Sequence, residues 1–213
     1  MINPNPTNQL LKPIVETYAK RLRSHGPNAQ GVLWRNQEWQ LKRYSILLKA
    51  INIDDPLETI KIADFGCGYG ALWDYLSTLH FFDNVSYIGY DICPEMITYC
   101  RNRIITPKAS FIHSCNVTED ADYIFASGTY NLKATAENSD WWAYVTTSIE
   151  QVWSKTKKTL GFNMLRIDCG THFDSLYYAN PQTIYNFCYD RLSHKLEYLP
   201  NHPLPDMTFF VHR

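Results

Sequence analysis

No C-x-x-C pair and no zinc-ligand spacing occurs among Cys67, Cys93, Cys100, Cys115, Cys169 and Cys188, so no metal is expected. Nor does the polar, Pro/Asn-rich N-terminus read as a secretory signal. The cysteines, although even in number, are therefore expected as reduced thiols in a cytoplasmic protein. Long apolar runs are absent, and with them any expected membrane span. Surplus charge is missing too: 20 Lys and Arg against 21 Asp and Glu leave a formal charge of -1, which gives no global field to draw in nucleic acid. Two short basic clusters, Lys20-Arg21-Leu22-Arg23 and Lys155-Thr156-Lys157-Lys158, read as solvated helix faces. Neither a repeat nor a low-complexity segment interrupts the 213 residues, a length that suits one well-buried domain. What is present, 45% hydrophobic and 19% charged residues, matches a soluble globular chain and excludes a disordered one.

Residues 1–8 read as a polar tail. Leu10, Leu11, Ile14, Val15, Tyr18 and Leu22 then recur at helical spacing until His25-Gly26-Pro27. A loop from Gly26 to Trp34 leads to a second helix carrying Trp39, Tyr44, Leu47 and Leu48, and Asp54-Asp55-Pro56 breaks the chain before the first strand. Strands are expected near 60–65, 85–90, 109–113, 122–127 and 158–164. Between and after them, helices are expected near 70–79, 94–104 and 140–154. Asp140 is the expected N-cap of the last of these, just before Trp141 and Trp142; as helix neighbours point apart, at least one of the two should be core. Pro181 suits the first turn of a helix over 181–191. Two strand-like runs, His194 to Leu199 and Met207 to His212, close the chain. Such alternation predicts a doubly wound α/β sheet with helices on both faces.

The most specific feature is Asp64-Phe65-Gly66-Cys67-Gly68-Tyr69-Gly70, followed by Tyr87-Ile88-Gly89-Tyr90-Asp91. Alternating glycines at the end of an apolar run let backbone turn tightly and approach a ligand. Asp91 ends the next apolar run, where a carboxylate accepts hydrogen bonds from ribose hydroxyls. An adenosine-containing cofactor is the expectation, and two classes fit it. Gly66-x-Gly68-x-x-Ala71 satisfies the relaxed dinucleotide fingerprint. S-adenosyl-L-methionine (SAM) is favoured by Asp64, which would repel a pyrophosphate but could orient an amino group, and by the third glycine, Gly70.

On these residues the chain resembles the class I SAM-dependent methyltransferases over residues 58–213. Gly31-Val32-Leu33-Trp34, Asp122-Tyr123-Ile124-Phe125-Ala126-Ser127-Gly128 and Leu176-Tyr177-Tyr178-Ala179-Asn180-Pro181 liken it to small bacterial-type members. The resemblance implies a mostly parallel seven-stranded sheet of Rossmann-like methyltransferase type with one antiparallel strand. It also implies a helical lid, residues 1–57, packed on the core of residues 58–213 within a single domain. Asp64, Gly66, Cys67, Gly68 and Gly70 would line the methionine half of SAM. Asp91 would hold the ribose, Ile92 the adenine face, and Asn116, beside Val117, the adenine amino group. Ala126 and Ser127 would end the fourth strand beside the reactive methyl, with Trp34 stacked on the ligand and Arg43 on the methionine carboxylate. One departure matters: Ala126-Ser127-Gly128-Thr129-Tyr130-Asn131 stands where enzymes that methylate base amines often carry Asn or Asp, then Pro-Pro and an aromatic residue. That argues further against nucleic acid.

The expected reaction is methyl transfer to an oxygen or nitrogen of a small-molecule or sugar-like metabolite, driven mainly by positioning for in-line displacement. Candidate acceptor-side residues follow the fourth and fifth strands: Tyr130, Asn131, His172 and Asp174, with Tyr177 and Tyr178 as wall. His172 titrates near neutrality and is the candidate general base. Two rivals stay open: a nucleotide-dependent oxidoreductase, and a non-catalytic SAM-binding regulatory subunit.

Overall fold

The computed structural model describes residues 6–52 and 59–213. The break at Asp54-Asp55-Pro56 lies outside the described residues, as do the first five residues of the expected tail. The remainder of that tail is already helical: α1 spans Pro6–His25. A single 3-10 turn, Gln30–Val32, then joins it to α2, Gln37–Leu47. Asn36 starts α2 by accepting the Trp39 N–H at 2.9 Å, as an N-cap should.

The sheet comprises β1 (Ile60–Phe65), β2 (Val85–Asp91), β3 (Ala109–His113), β4 (Ala121–Ser127), β5 (Thr156–Leu165), β6 (Leu196–Leu199) and β7 (Asp206–His212). Its order is β3-β2-β1-β4-β5-β7-β6. The first five strands run parallel, and β7 lies antiparallel between β5 and β6. Between strands come α3 (Ala71–Leu76), α4 (Pro94–Arg103), α5 (Asn138–Ser154) and α6 (Pro181–Arg191). Pro181 does open α6, whose N-cap Asn180 accepts from Gln182 and Thr183 N–H. Asp140 is not the cap of α5. That helix begins two residues earlier, after Glu137, which leaves Asp140 in its first turn, where a carboxylate meets the positive end of the helix dipole.

Side chains alternate across the strands and split the core in two. Ala63, Phe65, Ile88 and Ile124 pack with α1, α5 and α6, whereas Ile60, Ile62, Tyr87 and Phe125 pack with α2, α3 and α4. On α5 the buried stripe is Trp141, Val145, Ile149 and Val152; Trp142 is only half-buried against Phe187. Full burial of each such aliphatic side chain contributes about 1.5–3 kcal/mol. No helix among the described residues is long and apolar enough to cross a membrane.

A buried ion pair ties the N-terminal helices to the sheet. Arg43 of α2 donates Nε–H to Asp206 at the start of β7 at 2.5 Å and Nη1–H to the Trp39 carbonyl at 2.9 Å. Only 2% and 0% of the two charged side chains is exposed. Burial pulls the guanidinium below its ordinary value and lifts the carboxyl, each resisting through the other's charge.

Candidate functional site

The order of the sheet reverses at β1, which has β2 on one side and β4 on the other, and open α/β sheets bind ligands at such a point. The glycine loop emerges there. Its Gly66 and Cys67 N–H groups both donate to the Tyr90 carbonyl, at 2.8 and 2.9 Å, so the loop is tied down to the end of β2. Gly66 has φ of +84°, and a Cβ there would lie 2.5 Å from Thr129 Oγ1, which donates to the Phe65 carbonyl. Only glycine fits.

Asp91 closes β2. Its Oδ2 accepts the Gly68 N–H and its Oδ1 the Cys93 N–H, both at 2.8 Å. Burial raises its pKa, while those backbone donors and nearby His113 hold it down. The carboxylate lines a cleft that is partly open to solvent. Gly66, Cys67, Gly68, Ile92, Ser127 and Thr129 form its floor along the carboxyl ends of β1, β2 and β4. Leu11, Ile14 and Tyr18 of α1, with Trp34, Gln40 and Tyr44, close it from above. Tyr69 of the loop donates to Gln40 Oε1 at 2.7 Å, and Gln40 donates to the Tyr44 hydroxyl at 3.1 Å, which clasps α2 to the loop.

Other expected residues sit elsewhere. Asp64 lies beneath the loop, 3% exposed, and accepts the Tyr87 hydroxyl at 2.7 Å. Asn116 is exposed on a separate groove, because its turn is closed by Ser114; Ser114 is the residue of that turn in the cleft. Val117 and Ala126 are buried core. Gly70 packs against Cys100 and Ile104 at the head of α3. Arg43, spent on Asp206, stacks instead on Trp34, 4.3 Å from the ring centre.

A second chamber adjoins the cleft across Trp34 and Gly128, walled by Trp39, Leu165, Phe173 and Tyr178. A Cβ on Gly128 would meet the Trp34 indole at 2.6 Å, so a bare backbone is what lets the indole stand between the two spaces. Asn131 lines the chamber, its Oδ1 taken by the Leu165 N–H. Tyr130 lies outside both spaces, in the core, its hydroxyl on Ser148 and its pKa raised by burial. His172 and Asp174 line a neighbouring groove, where His172 stacks on Tyr178 at 4.0 Å. Tyr177 packs against the core. Sequence reasoning missed Asn163, which is fully buried; its Oδ1 accepts the Gly128 N–H and its Nδ2 donates to Ser127 Oγ. A lone Asn inside the apolar run Leu-Gly-Phe-Asn-Met-Leu was the available signal.

Asp64 sets a pH dependence. Burial lifts its pKa to about 7, against the pull of the Tyr87 hydrogen bond and with help from Asp91. The folded state thus holds a proton that the unfolded chain has released, and stability falls as pH climbs from the unfolded pKa towards 7. The unfolding free energy measured in urea should decline accordingly between pH 5 and 8, by roughly 1.4 kcal/mol per pH unit at most below pH 7. Asp64→Asn should flatten the slope; an unchanged slope in that variant would refute the assignment.

The glycine loop and Asp91 suit either cofactor class, and the relatives decide between them. Among the described residues the cleft wall holds Asp91 and no Lys, Arg or His. Aromatic rings of Tyr18, Trp34 and Tyr144 line the same cleft, a lining compatible with a cationic ligand group. A family profile described as a methyltransferase domain matches residues 63–158. Rv1506c of Mycobacterium tuberculosis, named as a methyltransferase, is 31% identical over 169 residues, covering 78% of this chain and 99% of its own. Among solved structures, magnesium protoporphyrin IX methyltransferase from Synechocystis PCC 6803 with bound SAM aligns over 100% of this chain and 99% of its own, with a TM-score of 0.65 at 11% identity. Human N-acetylserotonin methyltransferase in complex with SAM aligns over 98% of this chain and 60% of its own, with a TM-score of 0.66 at 12% identity. The chain belongs to the class I SAM-dependent methyltransferases.

Proposed function

We propose that the chain methylates an oxygen or nitrogen of a small molecule held in the aromatic chamber beside the cofactor cleft. The observation that carries this reading is the shared wall: Trp34 and Gly128 line both spaces, so donor and acceptor would meet across them. SAM supplies a methyl on a cationic sulfur that leaves as a neutral thioether, with the bonding pair. The protein's part is then to orient and to keep water out, and orientation of this kind is worth up to about 7–11 kcal/mol. Asp91 would receive the ribose hydroxyls and Ile92 the adenine, while Gly66 and Gly68 would admit the methionine half. The helices α1 and α2 would act as the lid over the sheet, with Leu11, Tyr18 and Trp34 above the ligand. His172 sits outside the chamber wall, so a base is not the centre of this reading.

Incubation with methyl-labelled SAM and, separately, pools of small hydroxylated or aminated molecules, RNA, DNA and protein tests this. Stoichiometric S-adenosylhomocysteine and labelled product are expected from a small-molecule pool alone. Label entering only nucleic acid or protein would overturn it.

A further inference from the structure

Resting on the reading of the chamber as the acceptor site, we infer that its acceptor is a flat aromatic molecule bearing an anionic substituent, and that Arg35 recognises the anion. The walls come first. Trp34, Trp39, Phe173 and Tyr178 offer ring faces, and Phe173 and Leu33 remain 61% and 39% exposed at the rim. Leu33 holds a left-handed backbone at φ of +66° in the turn that presents Trp34; strain of this kind gathers at ligand sites.

Polar groups on the walls are largely committed to the protein itself. The Tyr178 hydroxyl lies between the Phe173 N–H and the Thr171 carbonyl, Asn131 Oδ1 accepts the Leu165 N–H, and Cys169 donates to the Pro205 carbonyl. A hydroxyl-rich ligand such as a sugar would leave its own groups unmatched there. A ring would not.

Charge then selects among rings. No Asp or Glu lines the chamber among the described residues, whereas two arginines do. Arg43 is neutralised by Asp206. Arg35 has no acidic partner among the described residues, and its guanidinium is held 4.9 Å from the Trp39 ring centre. Trp39 in turn has Arg43 at 5.7 Å on the way to Trp34. The resulting Trp34–Arg43–Trp39–Arg35 ladder fixes a planar donor fork at an exposed edge of an aromatic slot. Such a fork pairs with a carboxylate or phosphate and repels an ammonium.

Titration of the full chain, saturated with S-adenosylhomocysteine, with naphthoate, naphthamide and naphthylmethylamine tests the assignment through tryptophan quenching. Naphthoate should bind at least about tenfold more tightly than naphthamide, as a charge-assisted pair implies, with the amine weakest. Arg35→Gln should bring acid and amide within about twofold, Arg35→Lys should keep the preference, and Arg35→Glu should favour the amine. Equal binding of acid and amide, no binding by any of the three, or a preference that survives Arg35→Gln would each overturn it. The S-adenosylhomocysteine titration that precedes these separates the failures. If that ligand does not bind, the donor-and-acceptor reading itself falls; if it binds and no anion preference follows, only the aromatic-anion assignment does.

Discussion

Arg43→Met should lower the unfolding free energy by about 3–5 kcal/mol, and Asp206→Leu added to it should restore most of the loss. The cause is an uncompensated buried charge. Taking either partner out of the Arg43–Asp206 pair strands the other in a site where neither is more than 2% exposed. Asp206 is already short of partners, since Oδ1 has none among the described residues while Oδ2 holds Arg43. Replacing both removes two desolvation penalties together, which is often neutral or better. The pH sign provides a second check. Without Arg43 the Asp206 carboxyl, already raised by burial, rises further and takes up a proton, so the single variant should lose less stability at pH 5 than at pH 8. Urea unfolding of both variants at those two pH values measures it. Single variants within 1 kcal/mol of the parent would show that the pair is dispensable. Because Arg43 also stacks on Trp34, the single variant should weaken acceptor binding through a looser indole.

How much of this was legible in the sequence depends on the range of the interaction. Strand and helix positions follow from local periodicity and caps, so β1, β2 and β3 fall where the apolar runs put them and Pro181 opens α6. The glycine loop and Asp91 are also local signals, and the fold brings them to a single cleft. The residues that sequence reasoning could not place are those whose partner is distant. Arg43 reads as a cation free to meet a carboxylate, until β7 delivers Asp206 from 163 positions away. Asn116 and Ser114 are both polar residues after β3, and only the turn closed by the Ser114 hydroxyl decides which one reaches the cleft. Tyr130 follows the strand end just as a site residue would, yet Ser148 and Trp141 on α5 hold it in the core. Asn163 is the reverse case, a polar residue that looks like an anomaly of an apolar strand until it is seen to hold the Ser127–Gly128 turn.

Asp91→Asn should weaken SAM and S-adenosylhomocysteine binding at least about a hundredfold, roughly 2.7 kcal/mol, with a smaller effect on folding. Each carboxylate oxygen accepts one backbone N–H, from Gly68 or Cys93, and keeps a second lone pair for a ligand hydroxyl. An amide keeps one oxygen only. Whichever way it turns, its NH2 faces a backbone N–H, so either the glycine loop or the head of α4 loses its anchor, and one of the two ribose acceptors is gone. The loop's other tie, from Gly66 and Cys67 to the Tyr90 carbonyl, is untouched, which is why the fold should survive. Asp64→Asn is the informative partner, since Asp64 faces Tyr87 beneath the loop and an amide oxygen can still accept that hydroxyl. Calorimetric titration of both variants with S-adenosylhomocysteine would therefore divide the two carboxylates. A hundredfold loss confined to Asp91→Asn places the ribose on Asp91, whereas equal losses would mean that the loop, not a single carboxylate, carries the affinity.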